Sequence, residues 1–276
     1  MQGNKRVYPR EAFPGKWLSY LLLFLSAVVL LSGLVWGGSG EDVDIQLAQT
    51  ATPIPTDEVF DETVESREIA LPSSTWYALQ LGAFENEKAA DELARQFMQR
   101  GAAGYVWQDG RYRTLAAVYP TREDAQNVRR QLSEQHTIDS YLYQIDLPAL
   151  TLRIHGMKGQ LDILEAGFIH ANDLVAQLQA IGVMMDRQEK NGKEAVELIS
   201  GLRAQMETVS LRLKQRFAAP RHNTVQGLID CFEDYAEFSG TLEATDSAVV
   251  LATKIKNQTL RSLYILKNVY DELGNT

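Results

Sequence analysis

Cysteine and histidine are scarce in this chain of 276 residues, which has one cysteine, Cys231, and four histidines. A single cysteine excludes an internal disulfide and a thiolate metal site. In Ile229-Asp230-Cys231-Phe232, inside a helical pattern, it reads as a small buried hydrophobe rather than a nucleophile. His136, His155, His170 and His222 are scattered, and none stands in an HExxH arrangement. No serine has the local setting of a nucleophile, and the glutamates fall at helical spacing, as on a solvated face. The sequence thus offers no catalytic residue, no metal site and no cofactor. Basic residues are also short, 27 Lys and Arg against 36 Asp and Glu, for a net charge of -9. Without a basic footprint, nucleic acid is excluded as a partner.

The acidic excess is local. Glu41, Asp42, Asp44, Asp57, Glu58, Asp61, Glu62, Glu65 and Glu68 face only Arg67. With Gly37-Gly38-Ser39-Gly40, Pro53, Pro55 and Pro72, this composition predicts a disordered linker over 37–74. As a coil its ends would stand on the order of 35 Å apart.

Charge is absent from Trp17 to Trp36. The run has the roughly 20 residues a membrane-spanning helix needs, with Trp17, Tyr20 and Trp36 at its ends. A cleaved signal would have a shorter apolar core and a small-x-small site, which Gly33-Leu34-Val35-Trp36-Gly37-Gly38 lacks. Lys5, Arg6, Arg10 and Lys16 precede it, so the positive-inside bias predicts a cytoplasmic tail over 1–16, a single span over 17–36 and an extracytoplasmic remainder.

After the linker the chain states one pattern twice, at an offset of about 35 residues. Gly82-Ala83-Phe84-Glu85-Asn86 aligns with Ala117-Val118-Tyr119-Pro120-Thr121, Ala90 with Ala125, Leu93 with Val128, Gln96 with Gln131 and Phe97 with Leu132. In the first strand Tyr77, Leu79 and Leu81 alternate with Trp76, Ala78, Gln80 and Gly82. Asn86 and Thr121 are in place to cap two helices, and Asp109-Gly110 between Tyr105–Gln108 and Arg111–Leu115 signals a hairpin. A last strand falls at Tyr141–Ile145. The order βαββαβ places two helices on one face of a four-stranded antiparallel sheet and leaves the other face open.

Residues 75–147 resemble the SPOR domain, the sporulation-related repeat of bacterial cell-wall proteins. Its first-strand signature of aromatic-x-x-Gln-x-Gly-Ala-Phe type stands here as Tyr77-Ala78-Leu79-Gln80-Leu81-Gly82-Ala83-Phe84. Its second half stands as Tyr112-Arg113-Thr114-Leu115-Ala116-Ala117-Val118-Tyr119, followed by Arg122-Glu123-Asp124-Ala125. Ala117 and Val118 replace the common Gly-Pro, which bears on the exit from the third strand more than on the sheet face. The resemblance implies binding of peptidoglycan glycan strands, especially those stripped of stem peptides. On the open face the candidate glycan-binding residues are Gln80, Trp76, Tyr105, Trp107, Arg113, Leu115 and Tyr143. Aromatic rings suit the apolar face of a sugar, and Gln80 and Arg113 suit its hydroxyl and acetamide groups. Two readings stay open for Trp76 and Trp107, ligand contact or packing on the linker or helical region. Alternation alone does not decide which face carries Tyr141 and Tyr143.

From 148 to 276 the period changes to helical. Leu161, Leu164, Phe168, Ala171, Val175, Leu178 and Met185 recur at steps of three and four. Leu198–Phe217, Val225–Leu242 and Ile255–Leu273 carry similar stripes, with Asn191-Gly192, Pro220 and Gly240 as breaks. Four such helices predict an antiparallel bundle, a module for a protein partner or for self-association through 158–273. The fold class expected is α+β: a transmembrane helix, a SPOR-like βαββαβ domain and an all-α bundle. Two functions follow, a non-catalytic membrane-anchored protein binding glycan strands at a division or sporulation septum, or a membrane-bound scaffold or sensor working through the bundle.

Overall fold

The computed structural model describes residues 63–274. The basic tail, the predicted span at 17–36 and the linker as far as residue 62 lie outside them. Among the described residues no helix is long and apolar enough to cross a membrane.

Among the described residues six strands and six helices follow in order. They are β1 (Val64–Leu71), β2 (Ser74–Phe84), α1 (Glu87–Met98), β3 (Tyr105–Gln108), β4 (Tyr112–Tyr119), α2 (Arg122–His136), β5 (Tyr141–Leu147) and β6 (Leu150–Met157). The helices α3 (Lys158–Asp186), α4 (Gly192–Arg216), α5 (Asn223–Gly240) and α6 (Ala248–Gly274) complete the described residues.

The four-stranded antiparallel sheet has the order β3-β4-β2-β5. Asn86 Oδ1 accepts from Ala89 N at 2.9 Å to start α1, and Thr121 Oγ1 accepts from Asp124 N at 3.1 Å to start α2. Gly110 supplies the positive φ, +81°, that the β3–β4 turn requires. One sheet face packs on α1 and α2 through Tyr77, Leu79, Leu81, Ala116, Tyr119 and Leu142 against Ala125, Val128 and Leu132.

Two expectations need correction. The last part of the stretch read as linker is strand β1, and a strand, β6, precedes the first bundle helix. They pair with each other, Val64 with Met157 through Leu71 with Leu150. The same register continues from Ser74–Leu147 to Gln80–Tyr141 in the main sheet. One long antiparallel ribbon therefore runs through both sheets, broken where Pro72-Ser73 faces Pro148-Ala149, since proline cannot donate to the ladder. The acidic composition hid β1. Ile69 and Leu71 alternate inward and are buried, while Arg67 balances Glu65 and reaches Asp162 at 2.7 Å and Glu165 at 3.3 Å on α3.

The four long helices form an up-down-up-down bundle. Antiparallel neighbours are marked by Gln205 beside His170 (α4–α3), Tyr235 Oη donating to Ile199 O at 2.7 Å (α5–α4) and Arg261 on Asp234 (α6–α5). Phe168 meets Tyr270 edge-on at 6.4 Å, closing α3 on α6. Asn191 and Glu194 form a reciprocal capping box at the start of α4. The bundle is not a body apart from the sheet. Trp76, Trp107, Leu115 and Ile145 belong to the same buried cluster as Leu260 and Leu263 of α6.

Candidate functional site

Strand alternation and two bulges decide which side chains share a face. Between Ala78–Val118 and Gln80–Leu115 one extra residue stands in β4, and between Gln80–Leu115 and Gly82–Thr114 one extra residue stands in β2. The second irregularity turns Gly82 toward α1, where a Cβ would meet Leu93 at 2.9 Å. Gly82 therefore leaves the face that simple alternation assigned to it. Trp76, Gln80, Tyr105, Trp107, Arg113, Leu115 and Tyr143 all fall on the face away from α1 and α2. Tyr141 joins them, because it alternates in phase with Tyr143 and the buried Ile145.

That face was expected to be open. Its aromatic half is instead covered by α6, and Trp107 packs on that helix, while Trp76 is buried in the same core cluster. Trp107, Trp76 and Leu115 retain 3%, 8% and 0% of their exposure. Tyr264 meets Trp107 edge-on at 4.9 Å between centroids and lies tilted on Tyr105 at 6.1 Å. Asn257 Nδ2 donates to Ala103 O at 2.9 Å, and Thr253 Oγ1 to Met98 O at 3.4 Å. Thr253, Asn257, Leu260 and Tyr264 are spaced as one helical stripe, and that stripe docks on the sheet.

The other half, next to the β3–β4 turn, stays accessible and polar. Arg113 Nη1 donates to Gln80 Oε1 at 2.8 Å, and its Nε lies 2.8 and 2.9 Å from the two Asp109 carboxylate oxygens. The guanidinium also stacks over Tyr143 at 4.6 Å. Tyr143 Oη donates to Asp109 Oδ2 at 2.5 Å. Burial, then the bond to Asp109, raises the Tyr143 pKa, so the phenol remains protonated. Beside this network Tyr141 is 63% exposed, directly across the ladder from Gln80.

The groups displayed are hydrogen-bond donors and aromatic rings. Asp109 offsets the charge of Arg113, so recognition here rests on hydrogen bonds and ring contacts more than on net charge. Gln80 Oε1 is taken by Arg113, while its amide donors have no acceptor among the described residues. Rings at Tyr141 and Tyr143 supply apolar faces.

Sequence reasoning missed two members. Asp109 reads as a turn residue, and its carboxylate becomes a site group only because β5 places Tyr143 within reach. Tyr264 lies far along the chain and has no local signal. Elsewhere, burial first and the nearby Asp234 second push the Cys231 thiol up to about 12. His155 meets Ser66 at 2.9 Å, and His222 caps α5. Among the described residues no cluster of His, Cys, Asp or Glu could hold a metal.

No curated protein and no solved structure matches this chain. The family model SPOR domain does match, over residues 73–144, about a quarter of the chain. That stretch carries the ribbon strands β2 and β5, both sheet helices and the Gln80–Arg113–Asp109–Tyr143 network. It is a SPOR domain, a binding domain rather than a catalytic one, and it points to peptidoglycan binding in cell division.

Proposed function

We propose that this is a non-catalytic cell-envelope protein, anchored in the membrane by residues 17–36 with its N-terminus in the cytoplasm. It binds peptidoglycan glycan strands lacking stem peptides at a division or sporulation septum. The observation that carries the reading is the match at 73–144 together with the uncovered Gln80, Arg113, Tyr143 and Tyr141. A sugar ring stacks on the exposed Tyr141, and the free amide donors of Gln80 meet a hydroxyl or an acetamide carbonyl. Arg113, held on three sides, presents its remaining donors without reorganising. Such pre-ordering lowers the entropy lost on binding.

Within the described residues the ribbon is long. From Val64 to Gln80 the strand path is on the order of 50 Å at about 3.3 Å per residue.

The full chain in detergent should pellet with sacculi, and better after an amidase has removed the stem peptides. Equal retention on an unrelated insoluble polysaccharide would count against the reading. A second reading, a membrane-bound scaffold acting through the bundle, is favoured by the docking of α6 on the aromatic half of the sheet. It expects no gain on amidase-treated sacculi.

A further inference from the structure

The acidic stretch of the sequence ends where the described fold begins. Asp57, Glu58, Asp61 and Glu62 precede Thr63, whose carbonyl oxygen accepts from Lys158 N at 2.8 Å, at the start of α3. A chain spans at most about 3.6 Å per residue, so Asp61 and Glu62 stand within about 7 Å of Thr63.

The surface within their reach is basic. From Arg212 to His222 the chain holds Arg212, Lys214, Arg216 and Arg221 and no carboxylate. This run, the end of α4 and the loop after it, meets the start of α3. Gln160 Nε2 donates to Arg216 O at 2.9 Å. The Arg216 guanidinium lies over Gly159, where a Cβ would stand 3.3 Å from its Cζ and Nη2. Arg221 Nη2 donates to Lys214 O at 3.3 Å, which folds the loop back on the helix. Lys158 adds a fifth cation, and the first turn of α3 carries no acidic residue.

The carboxylates that neighbouring elements supply are committed. Glu233 pairs with Lys214, while Asp162, Glu165 and Glu65 are engaged by Arg67. Arg212 Nη1 and Arg221 Nε are buried without a hydrogen-bond partner among the described residues. Apolar groups flank the cations. Val64 and Met157 are cross-strand partners at the end of the β1–β6 ribbon, 57% and 45% exposed, and Phe217 is half-buried against the core. The acidic segment matches this mixture, with Val59 and Phe60 between its two pairs of carboxylates.

We infer that Asp57–Glu62 is a strap seated on this basic end of the bundle. Its four carboxylates meet the cations of Lys158 and Arg212–Arg221, and Phe60 covers Val64 and Met157. Charge complementarity and the short reach from Thr63 select this occupant over a separate molecule, since a segment already attached loses little entropy on docking. The strap fixes where the chain leaves the fold, beside the end of α4. Held by charge, it is released by salt. It neither needs nor supports the glycan reading.

The test follows hydrogen exchange by mass spectrometry in the full chain in neutral detergent. Relative to intrinsic rates, amides of 57–62 should exchange about tenfold more slowly than those of 41–52, a factor that several exposed ion pairs acting together supply. Salt at about 1 M, where the Debye length is about 3 Å, should remove the difference. So should Lys158→Glu with Arg216→Glu, and so should Asp61→Lys with Glu62→Lys, a pair that alters no described residue. Combining all four substitutions should restore protection at low salt, which a folding defect would not do. Fast exchange of 57–62 in the parent, or protection that neither reversal disturbs, overturns the strap, as does a combined variant that stays unprotected. If 57–62 exchanges fast while 212–222 gains protection only when phosphatidylglycerol is added to the micelles, the patch serves an anionic surface and the strap is likewise overturned.

Discussion

Gln80 and Trp107 share a sheet face, yet substituting them should have opposite consequences. Trp107 is locked beneath Tyr264, so Trp107→Ala empties a buried site and should cost about 3–5 kcal/mol of stability. Gln80→Ala removes one hydrogen bond at the accessible end, worth roughly 0.5–1.5 kcal/mol. It should leave the melting temperature nearly unchanged while weakening glycan binding. Measuring melting and binding together on both variants decides this, and a stable Trp107→Ala protein that has lost only its ligand would refute the assignment. The sequence made the shared face legible, because strand alternation is local. It could not show which residues on that face are covered, because the cover is Tyr264, more than a hundred residues further along.

Among the elements, helices and their caps were readable and the ribbon was not. Asn86 and Thr121 announce helix starts through side chains that satisfy free N–H groups within three residues, while Asn191, read only as part of a break, also caps a helix. β1 failed the same reading because Arg67 finds partners on α3 and Glu68 finds Arg153 on β6, out of local view. The α3–α4 contact offers a test at this scale. His170 is buried, with Nδ1 3.2 Å from Gln205 Nε2 and Nε2 lacking a partner among the described residues. Burial lowers its pKa below the ordinary 6.5, and Asp173 opposes this only in part. Below that ordinary value the unfolded chain takes up a proton that the folded protein refuses, so ν_U exceeds ν_N and stability falls as pH falls. The urea midpoint should therefore drop from pH 7.5 to 5.5. His136 is shifted in the same direction by burial, so the comparison that matters is with His170→Gln, whose midpoint should change less over that interval. An unchanged slope in the variant would remove His170 from the account.

At the scale of the whole molecule, the division suggested by the sequence and the division made by packing disagree. The change of period at Leu147-Pro148 marks where strands give way to helices in the pattern, and the SPOR match ends near it, at residue 144. The hydrophobic core ignores that boundary. Trp76, Trp107, Leu115 and Ile145 are buried with residues of α6, and β5 runs on into β6, which returns to pair with β1. A chain cut to 75–147 would lose β1, β6 and the whole bundle, and would present those four side chains to water. Each apolar side chain so exposed forfeits about 1.5–3 kcal/mol of burial, a large share of the 5–15 kcal/mol that ordinarily separates folded from unfolded protein. The 75–147 fragment should therefore bind a hydrophobic dye such as ANS, self-associate, and melt well below the 63–276 chain. The longer chain should bind little dye, because α6 fills the face. A 75–147 fragment that is monomeric, dye-silent and as heat-stable as the longer chain would mean that α6 merely rests on an already complete domain. In that case the covered aromatic half would again be available to a ligand, and the glycan site would no longer be confined to the end of the sheet beside the β3–β4 turn.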